Sequence, residues 1–235
     1  IQNIFYVTLV DKDGYKQVKP TSLENGKLTA YFGESSSTAA KTINNAPKRA
    51  DAYTIPIYTS PAVSQYLDGA EELNYTNATS WGATKKLKLT GNWTNTISNL
   101  GNWNADSRTL YITGTWTLPK NITQSLGNNG VIVVANGGTI NIPNNSTLSV
   151  ANGGKIYVMS GGTISGSGTL YFDGSGSTGY DYNAGTINIS TFNVHGSSFY
   201  NVGSITTSAY QNQTSGYPFI NWGKLIVNGD MSTYN

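Results

Sequence analysis

From Val131 the chain repeats in octads: VIVVANGG, TINIPNNS, TLSVANGG, KIYVMSGG, TISGSGTL. The second position of each unit is Ile132, Ile140, Leu148, Ile156 and Ile164, and the fourth is Val134, Ile142, Val150, Val158 and then Gly166. The first and third positions are mostly polar, as in Thr139 and Asn141, Thr147 and Ser149, or Lys155 and Tyr157. Successive side chains of a strand point to opposite faces. Each unit therefore reads as a short strand with two apolar residues on one side. The remainder is turn chemistry, such as Asn136-Gly137-Gly138 and Asn152-Gly153-Gly154, because glycine reaches positive φ freely and Asn tolerates it. No unit can bury its apolar face alone, so the units must coil and stack as a β-solenoid.

Three octads per turn would place Thr139 over Thr163 and Gly137-Gly138 over Gly161-Gly162. Two per turn would place Asn136-Gly137-Gly138 over Asn152-Gly153-Gly154. The branched residues, with Trp116 and Phe172, suit a triangular interior better than a thin two-sided one. A right-handed parallel β-helix is expected. Earlier apolar pairs (Leu87 and Leu89, Leu110 and Ile112, Trp116 and Leu118) extend the rhythm backward, and Leu170 with Phe172 extend it forward after a two-residue deletion. The interruption at 173–185 reads as a loop or widened corner.

The first 80 residues differ, so residues 1–80 are read as a small, mainly β leading region and 81–235 as the solenoid. Asp13-Gly14 signals a hairpin between a strand in Asn3–Val10 and Tyr15–Val18. Residues 33–52 read as a polar loop, and residues 53–58 as a strand. Ser60-Pro61 and Gly69 bracket one short helix near 61–68.

Charged residues make up 11% of the chain, against roughly 25% in an ordinary domain, so solubility rests on Asn, Ser, Thr, Gly and Tyr. A net charge of +2 with no basic stripe gives no sign of nucleic acid as a partner. The absence of cysteine excludes disulfides and thiolate metal sites. No apolar run approaches the ~20 residues of a membrane helix. The chain starts at Ile1 rather than Met, which reads as a chain whose export signal has been removed.

On the I-x-[IV] strand cores and the NGG corners, residues 85–235 resemble the parallel β-helix modules of secreted bacterial surface and adhesin-like proteins, within the pectin-lyase-like architecture. That resemblance implies a secreted or cell-surface, outer-membrane-associated protein, and its architecture is one that polysaccharide lyases and hydrolases also use. No catalytic motif of those enzymes is matched.

Glycoside hydrolysis needs two carboxylates facing one bond. Asp173 and Asp181, with Tyr180 and Tyr182, flank the interruption and form the best candidate cleft, although Asp173-Gly174 also reads as a plain turn. His195 has no triad companions nearby in sequence. Asp11-Lys12-Asp13-Gly14 opens like a calcium loop but lacks the closing acid. Trp93 and Trp103 could stack on sugar rings, but their place before the regular coils suits a hydrophobic cap. A row of Thr139, Thr147, Thr163 and Thr169 resembles an ice-binding ladder, interrupted by Lys155. The expectation is thus an exported, non-enzymatic structural or adhesin-like module. It would be a monomer without metal or cofactor, meeting an extracellular protein or polysaccharide. The alternative is a carbohydrate-binding or polysaccharide-cleaving module, with Trp93, Trp103, Asp173, Tyr180, Asp181 and Tyr182 as ligand contacts.

Overall fold

The computed structural model describes residues 8–11, 14–17, 60–80, 85–98, 100, 108–127, 129–151, 153–173, 179–212 and 219–233. The chain forms two compact units, Ile1–Pro56 and Ile57–Asn235. In the first, β1 (Thr8–Asp11) pairs antiparallel with β2 (Gly14–Gln17), Asp11 opposite Gly14. This is the hairpin that Asp13-Gly14 predicts. The expected loop at 33–52 and strand at 53–58 lie outside the described residues.

The second unit opens with α1 (Ser64–Leu67), β3 (Glu71–Glu72) and α2 (Tyr75–Thr79). A partial turn follows, with β4 (Lys86–Leu89) and β5 (Asn92–Trp93). Complete three-sided turns then stack on it. The first two hold β6 (Thr109–Ile112), β7 (Thr115–Thr117) and β8 (Thr123–Leu126), then β9 (Val131–Val134), β10 (Thr139–Asn141) and β11 (Thr147–Ala151). In later turns the second and third sides merge into one longer strand. These turns are β12 (Lys155–Val158) with β13 (Thr163–Asp173), and β14 (Asp181–Asn183) with β15 (Thr186–His195). The last two are β16 (Phe199–Asn201) with β17 (Ser204–Asn212), and β18 (Phe219–Asn221) with β19 (Lys224–Thr233).

All pairings within this unit are parallel, as a solenoid requires. The first sheet runs β3-β4-β6-β9-β12-β14-β16-β18 and the second β5-β7-β10-β13-β15-β17-β19. The third contains β8, β11 and the latter parts of β13, β15, β17 and β19. Thr139 stands beside Thr163 and Ile140 beside Ile164, so each regular coil is three octads, one to a side. Later coils shrink, and Thr186 already pairs with Ser204. Part of the loss falls at the corner between the second and third sheets. Pro143–Ser146 turns it in one coil, Gly166–Gly168 in the next, and Ser190 alone in the one after. That shortening makes β13, β15 and β17 continuous across two sides.

The inward rows of the regular coils are apolar apart from Gln124, which is buried beside Leu148, accepts from Ile97 N and donates to Ile97 O. Ile132, Val134, Ile140, Ile142, Leu148, Val150, Ile156 and Val158 are all buried, as expected, in one core that also holds Trp116 and Phe172. The outward set needs correction. Thr139, Asn141, Thr147 and Ser149 are half-buried rather than exposed, because neighbours in the same row of adjacent coils stand ~4.8 Å away on either side. Lys155 is buried, at 6% exposure, beside buried Val131 and against Gly179.

Residues 60–80, assigned by sequence to the leading region, sit in the solenoid unit. Tyr66 and Val63 cover a second apolar cluster of Val131, Val133 and Ala135 on the outside of the first sheet. Lys86 Nζ donates to Gln65 O and Asp68 O and so ties α1 to β4. The Ser60-Pro61 and Gly69 signals predict one helix, and the described residues form two. Asn74 caps α2 through Thr76 N and Asn77 N, and Asn77 returns the bond to Asn74 N. Leu73, Ala78, Ile97 and Leu100 close the opening end of the core.

One corner is a column of glycines. Gly114, Gly138, Gly162, Gly185, Gly203 and Gly223 recur between the first and second sheets in consecutive turns. A Cβ at any of them would collide with a backbone carbonyl oxygen of the preceding turn, Ile112 O in the case of Gly138. Gly138→Ala should therefore destabilise the fold by about 1–3 kcal/mol or more. Gly91→Ala is the control, because a Cβ there meets open space, and it should change the urea midpoint little. Leu148→Ala, which empties a fully buried position, should cost about 2–5 kcal/mol in the same assay.

Candidate functional site

The interior of the first sheet changes character at β14. Alternation turns Asp181 and Asn183 toward the core, and both are fully buried. Asn183 Nδ2 donates to Asn201 Oδ1 at 2.7 Å, and Asn201 Nδ2 donates to Asn221 Oδ1 at 2.6 Å. Stacked side-chain amides thus satisfy one another along the axis, as the backbone does in the sheets.

Asp181 pairs in register with Phe199 of the core. Its Oδ1 accepts from Ile156 N at 2.8 Å, while Oδ2 is buried without a hydrogen-bond partner. Burial pushes this carboxyl up to about 7, against the opposing pull of the Lys155 charge, the Ile156 N–H and the Ser197 hydroxyl. Burial also lowers Lys155, with Asp181 pulling the other way. A chain of rings runs alongside, from Tyr66 through Tyr157 and Tyr180 to Tyr182 and Tyr200, with centroids 5.9–6.5 Å apart. Burial, reinforced by Tyr66, Asp181 and Tyr180, raises the Tyr157 phenol.

Asp173 belongs elsewhere. It ends the third-sheet part of β13 and is half-exposed, with Oδ1 3.3 Å from His195 Nδ1. The Tyr171 phenol lies 3.3 Å from the same nitrogen, and its ring stacks on the imidazole at 6.5 Å. Burial and then the Asp173 charge raise that phenol. In the adjoining row Asn193 Nδ2 donates to Gln211 Oε1 at 2.8 Å. Asp173 and Asp181 therefore do not form a carboxylate pair on one bond, because one faces outward from the third sheet and the other is sealed in the core. Of the six candidates, Tyr180, Asp181 and Tyr182 come together. Tyr182 is buried, and Asp173 joins Tyr171 and His195 instead.

Trp93 is 7% exposed, in register with Trp116 and with its ring 4.9 Å from that of Tyr75. It packs at the opening end of the core and offers almost no face for stacking a sugar. Trp103 lies outside the described residues. The threonine row is two rows. Thr139 and Thr163 stand in the second sheet, Thr147 and Thr169 in the third, and Lys155 in the first. Lys155 therefore interrupts neither.

Sequence reasoning missed Lys155 as the neighbour of Asp181, and missed the outward group of Tyr171, Asn193, His195 and Gln211. Aligning TLYFD, TFNVH and AYQN in register would have found that group, but the spacing shortens from one of those coils to the next. Among the described residues no three His, Asp or Glu side chains stand together as metal ligands.

Asp181 has a pH signature. Its ordinary value is 3.8 and its folded value about 7, so the folded chain holds more protons in that window. Stability from this group is greatest below it and falls as pH rises through it, by on the order of a few kcal/mol. Lys155, lowered from 10.5, acts in the opposite sense at higher pH. Wild type should melt higher at about pH 5 than at about pH 8, and Asp181→Asn should flatten that difference. An unchanged slope in the variant would assign the effect to other groups. No protein-family model matches the chain, and no curated protein or solved structure matches it either.

Proposed function

We propose that this chain is an exported structural or adhesive module of the bacterial cell surface, holding a rigid, uncharged face toward an extracellular partner. The observation that carries this reading is the outer face of the second sheet. Thr115, Thr139, Thr163 and Thr186 stand in register there, and the next row holds Thr117, Asn141, Ser165 and Asn188. No charged side chain enters these rows before Lys224 of the last turn. Backbone hydrogen bonds between coils hold every member in place, so the face is preorganised and loses little side-chain freedom on contact. The kinship with secreted β-helix adhesins belongs to the same proposal and rests on the parallel solenoid and its glycine corners. No helix among the described residues is long and apolar enough to cross a membrane.

The non-enzymatic part has its own test. The chain is incubated with polysaccharide and glycoprotein substrates, and release of reducing or unsaturated ends is followed. The expected outcome is no release by wild type. Release abolished by Asp173→Ala would overturn the reading, since loss of a general acid or base typically removes ~10²–10⁴-fold of a rate.

A further inference from the structure

We infer that the outer face of the third sheet, centred on Tyr171, binds an uncharged polysaccharide laid along the solenoid axis. This gives the adhesive module proposed above a partner at a second face and rests on that reading.

The ladder between coils consumes the backbone N–H and C=O groups of this sheet, so a partner cannot add a strand here and meets side chains alone. One row presents Thr123, Thr147, Thr169 and Thr191 from four consecutive coils. The adjoining row presents Ser149, Tyr171, Asn193 and Gln211. Asp173 and His195 flank Tyr171.

The chemistry selects among partners. A protein interface of ordinary kind has an apolar centre, and apart from alanine no aliphatic side chain stands in these rows. A polyanion needs Lys or Arg, and none stands here, whereas Asp173 and Asp230 would repel it. Hydroxyls and amides recurring every ~4.8 Å along the axis match a polymer whose own hydroxyls recur at about the length of one sugar.

Exchange of water for sugar hydroxyls is nearly neutral, so affinity must come from groups that water serves poorly. The half-exposed Tyr171 ring, stacked on one side by His195, offers apolar surface. The Asp173 carboxylate, 48% exposed, accepts from a sugar hydroxyl with the added strength of a charged acceptor. Each contact is weak alone, and the two act together on one long chain.

The test is affinity electrophoresis of the full chain through gels containing neutral polysaccharides (a β-glucan, a mannan, a xylan, a starch) or anionic ones (a polygalacturonate, an alginate). Retention by at least one neutral polymer, persisting at about 0.5 M salt, is expected. Tyr171→Ala should weaken it by about tenfold, Tyr171→Phe should retain most of it, and Gln65→Ala, exposed on α1 over the first sheet, should leave it unchanged. Melting curves of each variant separate lost binding from lost fold. Retention only by anionic polymers, or neutral retention indifferent to Tyr171→Ala, overturns the inference. So does retention by none of them. In that last case adhesion to protein-coated surfaces would leave the adhesive module standing, and its absence there would remove that reading as well.

Discussion

The close approach of one backbone to the next at the glycine corner governs the rest of the structure. Gly138 O accepts from Thr163 N at 2.9 Å, and Gly162 O from Thr186 N at 3.0 Å. Each glycine thus carries the next coil on its carbonyl while lying against the carbonyls below. A side chain there would wedge the coils apart and break the ladder on both flanking sheets. With that corner set, the pleat decides everything else: two residues inward and two outward on every side, in register from coil to coil.

The octads made the strands, the inward rows and the three-sided turn legible, because stacking Gly137-Gly138 over Gly161-Gly162 also stacks Thr139 over Thr163. Legibility faded where corners shortened. From Gly166 onward the strand residues persist but the turn residues vanish, so a fixed period no longer finds them. The fate of Lys155 was invisible for another reason. An outward position in a strand predicts solvent, and only the chain around Gly179 returning from the next coil covers it. The separation of Asp173 from Asp181 was hidden likewise. Asp173 ends a strand of the third sheet facing outward, and Asp181 begins a strand of the first sheet facing inward. The Asn74 cap of α2 stood in the sequence as Asn-x-x-Asn, but so short a helix carries too little periodicity to reveal it.

The interior and exterior polar groups do different work. Inside, the Asn183 and Asn201 amides bond along the axis and, with exposed Asn221 at the end of the ladder, hold these coils in one register, and Asp181 adds a carboxyl whose ionisation opposes folding. Outside, the same stacking turns single Thr, Ser and Asn residues into rows. A chain with 11% charged residues thereby presents ordered hydrogen-bonding groups without an electrostatic field, which suits contact with neutral surfaces over long-range steering.

The ladder bonds of the three sheets all join one coil to the next, so they lie parallel to the solenoid axis. A load drawn along that axis pulls on them end-on, and the terminal coil parts first, one side at a time. A load drawn across the axis is carried instead by covalent chain wound around each turn. Tethered side-on, such a module would resist shear flow far better than one pulled by its tip.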